Sequence, residues 1–146
     1  DHAAQTYPEL ALATVTTHDM PTLVGYWQEN DLALRHQLDL FPNPAVADSL
    51  HQLRSDEKQL MTQRLQLNGD AYTELVRKSH LFVAQQPAKL FAFQLEDLLQ
   101  MASPVNIPGT SSEYANWQRK LSINIDQIWL NNDVKAQIVA MKAARA

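Results

Sequence analysis

The chain has no cysteine, only three glycines, and fewer basic than acidic residues. Without cysteine there is no disulfide framework and no site built on thiolates, which suits a reducing compartment. Twelve Lys and Arg against 16 Asp and Glu give a formal net charge of −4, so a broad surface for neutralising nucleic-acid phosphates is not expected. No apolar run approaches the roughly 20 residues of a membrane span, and no signal-peptide pattern opens the chain. Neither nucleic acid nor membrane is therefore an expected partner. The histidines at 2, 36, 51 and 80 show no metal-ligand spacing such as HExxH. Length excludes one thing more: a complete (β/α)8 barrel takes roughly 250 residues, and this chain has 146.

What is present reads as a globular α/β chain rich in helix. The sequence is 45% hydrophobic and 19% charged, within the range of folded domains. Residues 10–17 are apolar or β-branched in succession without alternation, the pattern of a strand buried on both faces. Asp19 is placed to cap the helix that follows, with Pro21 in its first turn and Leu23, Tyr26 and Trp27 on one face. A short helix is expected over Asp31–Leu38, then a break at the prolines of residues 40–44. A longer helical stretch follows from Ala45 to about Leu67, with a break expected near Ser55 and a stop at Asn68-Gly69. Asp70 is expected to cap a further helix, in which Tyr72, Leu75, Val76, Phe82 and Val83 recur at helical spacing.

Residues 89–95 read as a second buried strand. About 70 mostly helical residues separate the two, which implies a parallel pair joined by a right-handed crossover. Residues 96–99 begin a turn or short helix, and 103–117 form a loop. A last helix starts near Asn132 with Val134, Ile138 and Met141 on one face, and Lys142 and Arg145 suit its negative end. Two parallel strands do not make a stable sheet alone, so either the strands are misread or the sheet continues in chain outside this sequence.

In α/β folds, ligand-binding and catalytic groups gather past the carboxyl ends of parallel strands. Those ends carry Thr17, His18 and Asp19, and residues 94–97 with Glu96 and Asp97. Carboxylates around one rim suit glycosidic-bond chemistry, where one attacks or stabilises and another protonates the leaving oxygen. Plainer roles compete. Asp19 serves equally as a helix N-cap, His18 as an interior histidine, and Glu96 and Asp97 as acids at a helix N-terminus. Trp27, Trp117 and Trp129 suit either sugar stacking or the core.

Four ordered segments carry a resemblance. Residues 14–27, TVTTHDMPTLVGYW, are similar to the TxTTHDxPTxxGxW segment of the 4-α-glucanotransferases, also called amylomaltases or disproportionating enzymes. Residues 31–35, DLALR, resemble that family's next helix, and residues 94–99, QLEDLL, its QxEDLL segment. VNIPGT at 105–110, with Glu113 and NWQR at 116–119, resembles its xNxPGTxxExxNWRxK loop. Gln118 stands where the family usually has Arg. The resemblance spans essentially the whole chain, and four segments in order are specific where a lone His-Asp is not.

The resemblance implies that residues 1–146 are the C-terminal part of a catalytic (β/α)8 barrel: strand 7, its helical excursion, strand 8 and the closing helices. It implies a retaining 4-α-glucanotransferase acting on maltodextrins, bacterial and cytoplasmic, without a cofactor. Such enzymes use an Asp nucleophile, a Glu acid/base and a second Asp on ring hydroxyls. By resemblance Asp19 is that second Asp, His18 contacts the same sugar, and Asn106, in a loop that borders the glucan cleft, is expected to contact the sugar. Trp117 is expected to serve in packing. The nucleophile and acid/base belong to earlier strands, so the chain alone is expected to be inactive, with oligomerisation through its exposed strands. Two other readings stand beside this one: a metal-dependent His-Asp phosphohydrolase, in which the pair sits on a helix, and a non-catalytic helical interaction domain.

Overall fold

A computed structural model describes residues 7–69 and 72–146. Strand β1 (Leu12–Thr14) pairs in parallel with β2 (Leu90–Ala92), in the register Leu12↔Leu90, Ala13↔Phe91, Thr14↔Ala92. Both strands fall where the apolar runs place them but are shorter than expected. Pairing extends only upstream, through Lys89 N–H to Glu9 O (2.8 Å) and Leu90 N–H to Ala11 O (3.2 Å). Beyond Thr14 the backbone leaves the ladder as the Thr14 hydroxyl donates to Thr16 O at 2.8 Å.

The strands are also not buried on both faces. Ala13 faces inward and packs with Val83, Ala88 and Phe91. On the opposite face Leu12 and Leu90, directly across from one another, are 60% and 64% exposed. A strand with a single neighbour and helices on one side covers one face only.

Between the strands run α1 (Leu23–Trp27), α2 (Asn30–Gln37), α3 (Pro44–Leu65) and α4 (Tyr72–Ala84). The α1 cap is Thr22, whose hydroxyl accepts from Gly25 N–H at 3.1 Å. Asp19, expected in that role, lies too far upstream. Gly25 is needed where it stands, because a Cβ there would lie 2.3 Å from Ala102 O. Helix α3 opens with Asn43 accepting from Val46 N–H at 3.0 Å and Pro44 in its first turn. It runs unbroken through Ser55, where a break was expected, since nothing there interrupts its hydrogen bonding. It stops at Gln66 (φ 51°), with Leu67 N–H closing onto Thr62 O at 3.0 Å. The cap expected at Asp70 lies outside the described residues.

After β2 come α5 (Leu95–Leu98), α6 (Ile125–Ile128) and α7 (Asn132–Ala144). One cluster holds them to the earlier helices: Leu23 and Val24 of α1, Val76 and Ala84 of α4, Leu98, Ile128, and Val134 and Met141 of α7. Arg145 does not serve its own helix end alone. Its guanidinium reaches Ala84 O (3.2 Å), Ala88 O (2.8 Å) and Lys89 O (2.9 Å), satisfying carbonyls between α4 and β2. Helix α3 is polar, and its one buried residue is Arg54. That side chain forms a bidentate pair with Asp31 (2.8 and 2.7 Å), donates to Tyr26 O at 2.7 Å and lies 3.6 Å over the Tyr26 ring. A polar helix is thereby fixed to α1 and α2.

Candidate functional site

The parallel pair brings the two post-strand segments together, as the strand reading requires. Residues 17–20 turn sharply, closed by Met20 N–H to Thr17 O at 3.0 Å. His18 and Asp19 project from this turn, with side chains 56% and 52% exposed. His18 is thus not an interior histidine, and the pair sits on a turn rather than on a helix. Asp19 Oδ1 accepts from Asn106 Nδ2 at 2.6 Å, and Oδ2 lies 3.4 Å from His18 Nε2. The Trp117 ring centre is 5.0 Å from that of His18, with the planes tilted by 49°.

The loop that delivers Asn106 and Trp117 is held by its own polar groups. Asn116 Oδ1 accepts from Ile107 N–H at 2.9 Å, and its Nδ2 donates to Thr110 Oγ1 at 2.8 Å. Trp117 N–H donates to Val105 O at 3.0 Å, and Tyr114 Oη donates to Pro104 O at 2.7 Å. Trp117 takes a left-handed backbone (φ 63°) and is 63% exposed. The packing role expected of it is not what is found: its ring meets His18 and is otherwise open. The other exposed tryptophan, Trp129, is 61% exposed at the C-terminal end of α6. A depression of about 40 Å³ beside Asp19 is lined by Asp31, Arg35, Asn106 and Pro108. A larger cavity of about 330 Å³ lies elsewhere, against Leu60 and Met61 of α3 and Phe82 of α4.

Asp97 is fully buried. It accepts from the Thr16 hydroxyl and, at 2.7 Å, from Leu23 N–H. Gln94 Nε2 donates to the same Thr16 hydroxyl at 2.8 Å. Beneath this group lies buried His80, whose Nδ1 bonds Val76 O at 2.8 Å while Nε2 stands 4.0 Å from Asp97 Oδ2. Burial pushes the His80 pKa down and the Asp97 pKa up. Glu96 and Asp97 do occupy the first turn of α5, but the Asp97 carboxylate is committed to Thr16 and Leu23. Sequence reasoning did not single out Thr16, Gln94 or His80. The TVTT and QLEDLL runs contain the first two, yet only the pairing of β1 with β2 brings them together.

Chemically, the exposed part of this rim combines hydrogen-bonding groups with an aromatic face. Asp19 accepts hydrogen bonds, Asn106 both donates and accepts, His18 adds a further polar edge, and Trp117 offers an apolar ring face. Among the described residues, no three His, Asp or Glu side chains group so as to hold a metal ion. No helix among them is long and apolar enough to cross a membrane.

Comparison with known proteins identifies the lineage. The family model for 4-alpha-glucanotransferase matches residues 1–125. The 4-alpha-glucanotransferase of Haemophilus influenzae is 32% identical over 151 residues, covering 95% of this chain and 22% of that protein. The 4-alpha-glucanotransferase of Mycobacterium tuberculosis is 32% identical over 137 residues, covering 90% of this chain and 19% of that protein. Among solved structures, amylomaltase from Corynebacterium glutamicum superposes with a TM-score of 0.77 at 26% identity, covering 98% of this chain and 23% of that one. The chain belongs to the 4-alpha-glucanotransferase family, and it spans about a fifth of the length of the curated relatives it matches.

Proposed function

We propose that residues 1–146 form the C-terminal part of the catalytic (β/α)8 barrel of a retaining 4-α-glucanotransferase. In this reading β1 is strand 7, α1 to α4 are its helical excursion, β2 is strand 8 and α5 to α7 close the domain. The enzyme transfers α-1,4-glucan segments between maltodextrins in the cytoplasm and needs no cofactor. The observation that carries the reading is the freedom of Asp19. It is released from helix capping by Thr22 and held at the carboxyl end of β1 by Asn106. The open row of Leu12 and Leu90 suits an inward-facing barrel layer completed by other strands.

In the retaining reaction, one carboxylate attacks the anomeric carbon while an acid protonates the leaving glycosidic oxygen. An acceptor hydroxyl then displaces the enzyme carboxylate as the same group takes the hydroxyl proton. Both groups belong to strands outside this sequence. Asp19 acts on the sugar between them: hydrogen bonds from ring hydroxyls to its carboxylate strengthen as positive charge develops at the anomeric centre. Asn106 fixes the Asp19 rotamer, and His18 contacts the same ring. The purified 146-residue chain should show no maltotriose disproportionation and should associate through its uncovered strands. Turnover by the chain free of longer enzyme would overturn the expected inactivity, and a strictly monomeric, cooperatively unfolding state in light scattering and calorimetry would count against association.

A further inference from the structure

We infer that Asp97 is a positioning residue for this site, acting through the turn that carries His18 and Asp19; the inference rests on the glucanotransferase reading above. One carboxylate grips that turn at both ends. One oxygen accepts the hydroxyl of Thr16, two residues before His18, and the other accepts the N–H of Leu23, four residues after Asp19. The Leu23 N–H is among those a helix leaves without an internal partner, so Asp97 caps α1 from a distance. Gln94 holds the Thr16 hydroxyl from another side at 2.8 Å. Residues 17–22 are thus strung between two fixed points.

Filling space in the core would not need a carboxylate. Burying one carries a desolvation penalty, and apolar side chains of similar volume fill such places as well or better. What an apolar side chain cannot do is fix two donors from the opposite segment in one geometry. The Nε2 of buried His80 makes no hydrogen bond and stands 4.0 Å from Asp97 Oδ2. Misplacement of a reacting group by about 1 Å can cost on the order of 10²-fold in rate, and the Asp97 clamp sets the placement of Asp19.

The test is steady-state maltotriose disproportionation by the full-length protein carrying this chain, for wild type, Asp97→Asn, Asp19→Asn and the double variant. Asp97→Asn should lower kcat by about 10²-fold with KM little changed. The double variant should be no slower than Asp19→Asn, because Asp97 acts through Asp19. An unchanged kcat for Asp97→Asn, or losses that multiply in the double variant, overturns the inference. If Asp19→Asn keeps full turnover, the functional reading falls and the inference with it. If Asp19→Asn loses turnover while Asp97→Asn does not, only the inference falls. Should Asp97→Asn fail to fold, Thr16→Val removes one of the two bonds with less disturbance. It should lower kcat by roughly tenfold with the same non-additivity, and an unchanged kcat would overturn the inference.

Discussion

Asn106 and Asp19, 87 residues apart, are joined by a 2.6 Å hydrogen bond from the amide nitrogen to the carboxylate. This contact ties the loop after β2 to the turn after β1 and sets which way the Asp19 carboxylate faces. Removing it with Asn106→Ala should lower kcat/KM of the full-length protein about 10- to 100-fold, the range for a lost hydrogen bond to a charged group. Asn106→Asp should be worse, because it sets a like charge against Asp19. Steady-state kinetics on maltotriose check both, and wild-type kcat/KM in Asn106→Ala would show that the contact is idle.

Gly25 of α1 lies close against the backbone of Ala102. A methyl group on Gly25 would meet the Ala102 carbonyl oxygen at 2.3 Å, which forces α1 away from the segment after α5. Gly25→Ala should therefore cost about 1–3 kcal/mol, despite the better helix propensity of alanine. Chemical denaturation of wild type and variant measures this, and a stabilised variant would contradict it.

Arg54 and Asp31 make the equivalent prediction for α3. Their side chains are 8% and 14% exposed, so solvent screens the pair little. Arg54→Met should cost about 3–5 kcal/mol by leaving Asp31 without its partner. Arg54→Met with Asp31→Leu should recover part of that loss. A double variant as unstable as the single one would show that the pair is not the source of the effect.

His80 sets a pH dependence. Burial holds its pKa below the ordinary histidine value, so the folded protein keeps it neutral where the unfolded chain takes up a proton. The stability it contributes is complete above about pH 6.5 and falls as pH drops below that value. Asp97, pushed upward by burial, acts with the opposite sign: its contribution is complete below about pH 3.8 and is lost as pH rises through its folded pKa. Thermal melts between pH 7.5 and 5 should show a decline on the acid side that is shallower in His80→Gln. An identical slope in the two proteins would refute the assignment to His80.

Much of this architecture could be read in the residues, for identifiable reasons. The apolar runs around Ala13 and Phe91 mark strands because they do not alternate, and α4 and α7 announce themselves by helical spacing. Strand length was not legible, because it depends on neighbours that no local pattern reveals. The four residues of α6 are too few to show a period. Asp19 reads as an N-cap until Thr22 is seen to hold that place. Arg54 reads as one more polar residue on a polar helix until Asp31 and Tyr26 are placed around it. Asp97 is the sharpest case: the QLEDLL run puts it at the rim, but its partners Thr16 and Leu23 come from the other side of a long crossover.

The account turns on Asp19 as the carboxylate that meets the sugar, and initial rates of maltotriose disproportionation test it most directly. In the full-length protein, Asp19→Asn keeps the side-chain volume and removes the charge. Its kcat should fall by about 10²- to 10³-fold, the cost of losing one preorganised transition-state contact, with folding and thermal stability close to wild type. A folded Asp19→Asn enzyme that turns over maltotriose at the wild-type rate would contradict the account.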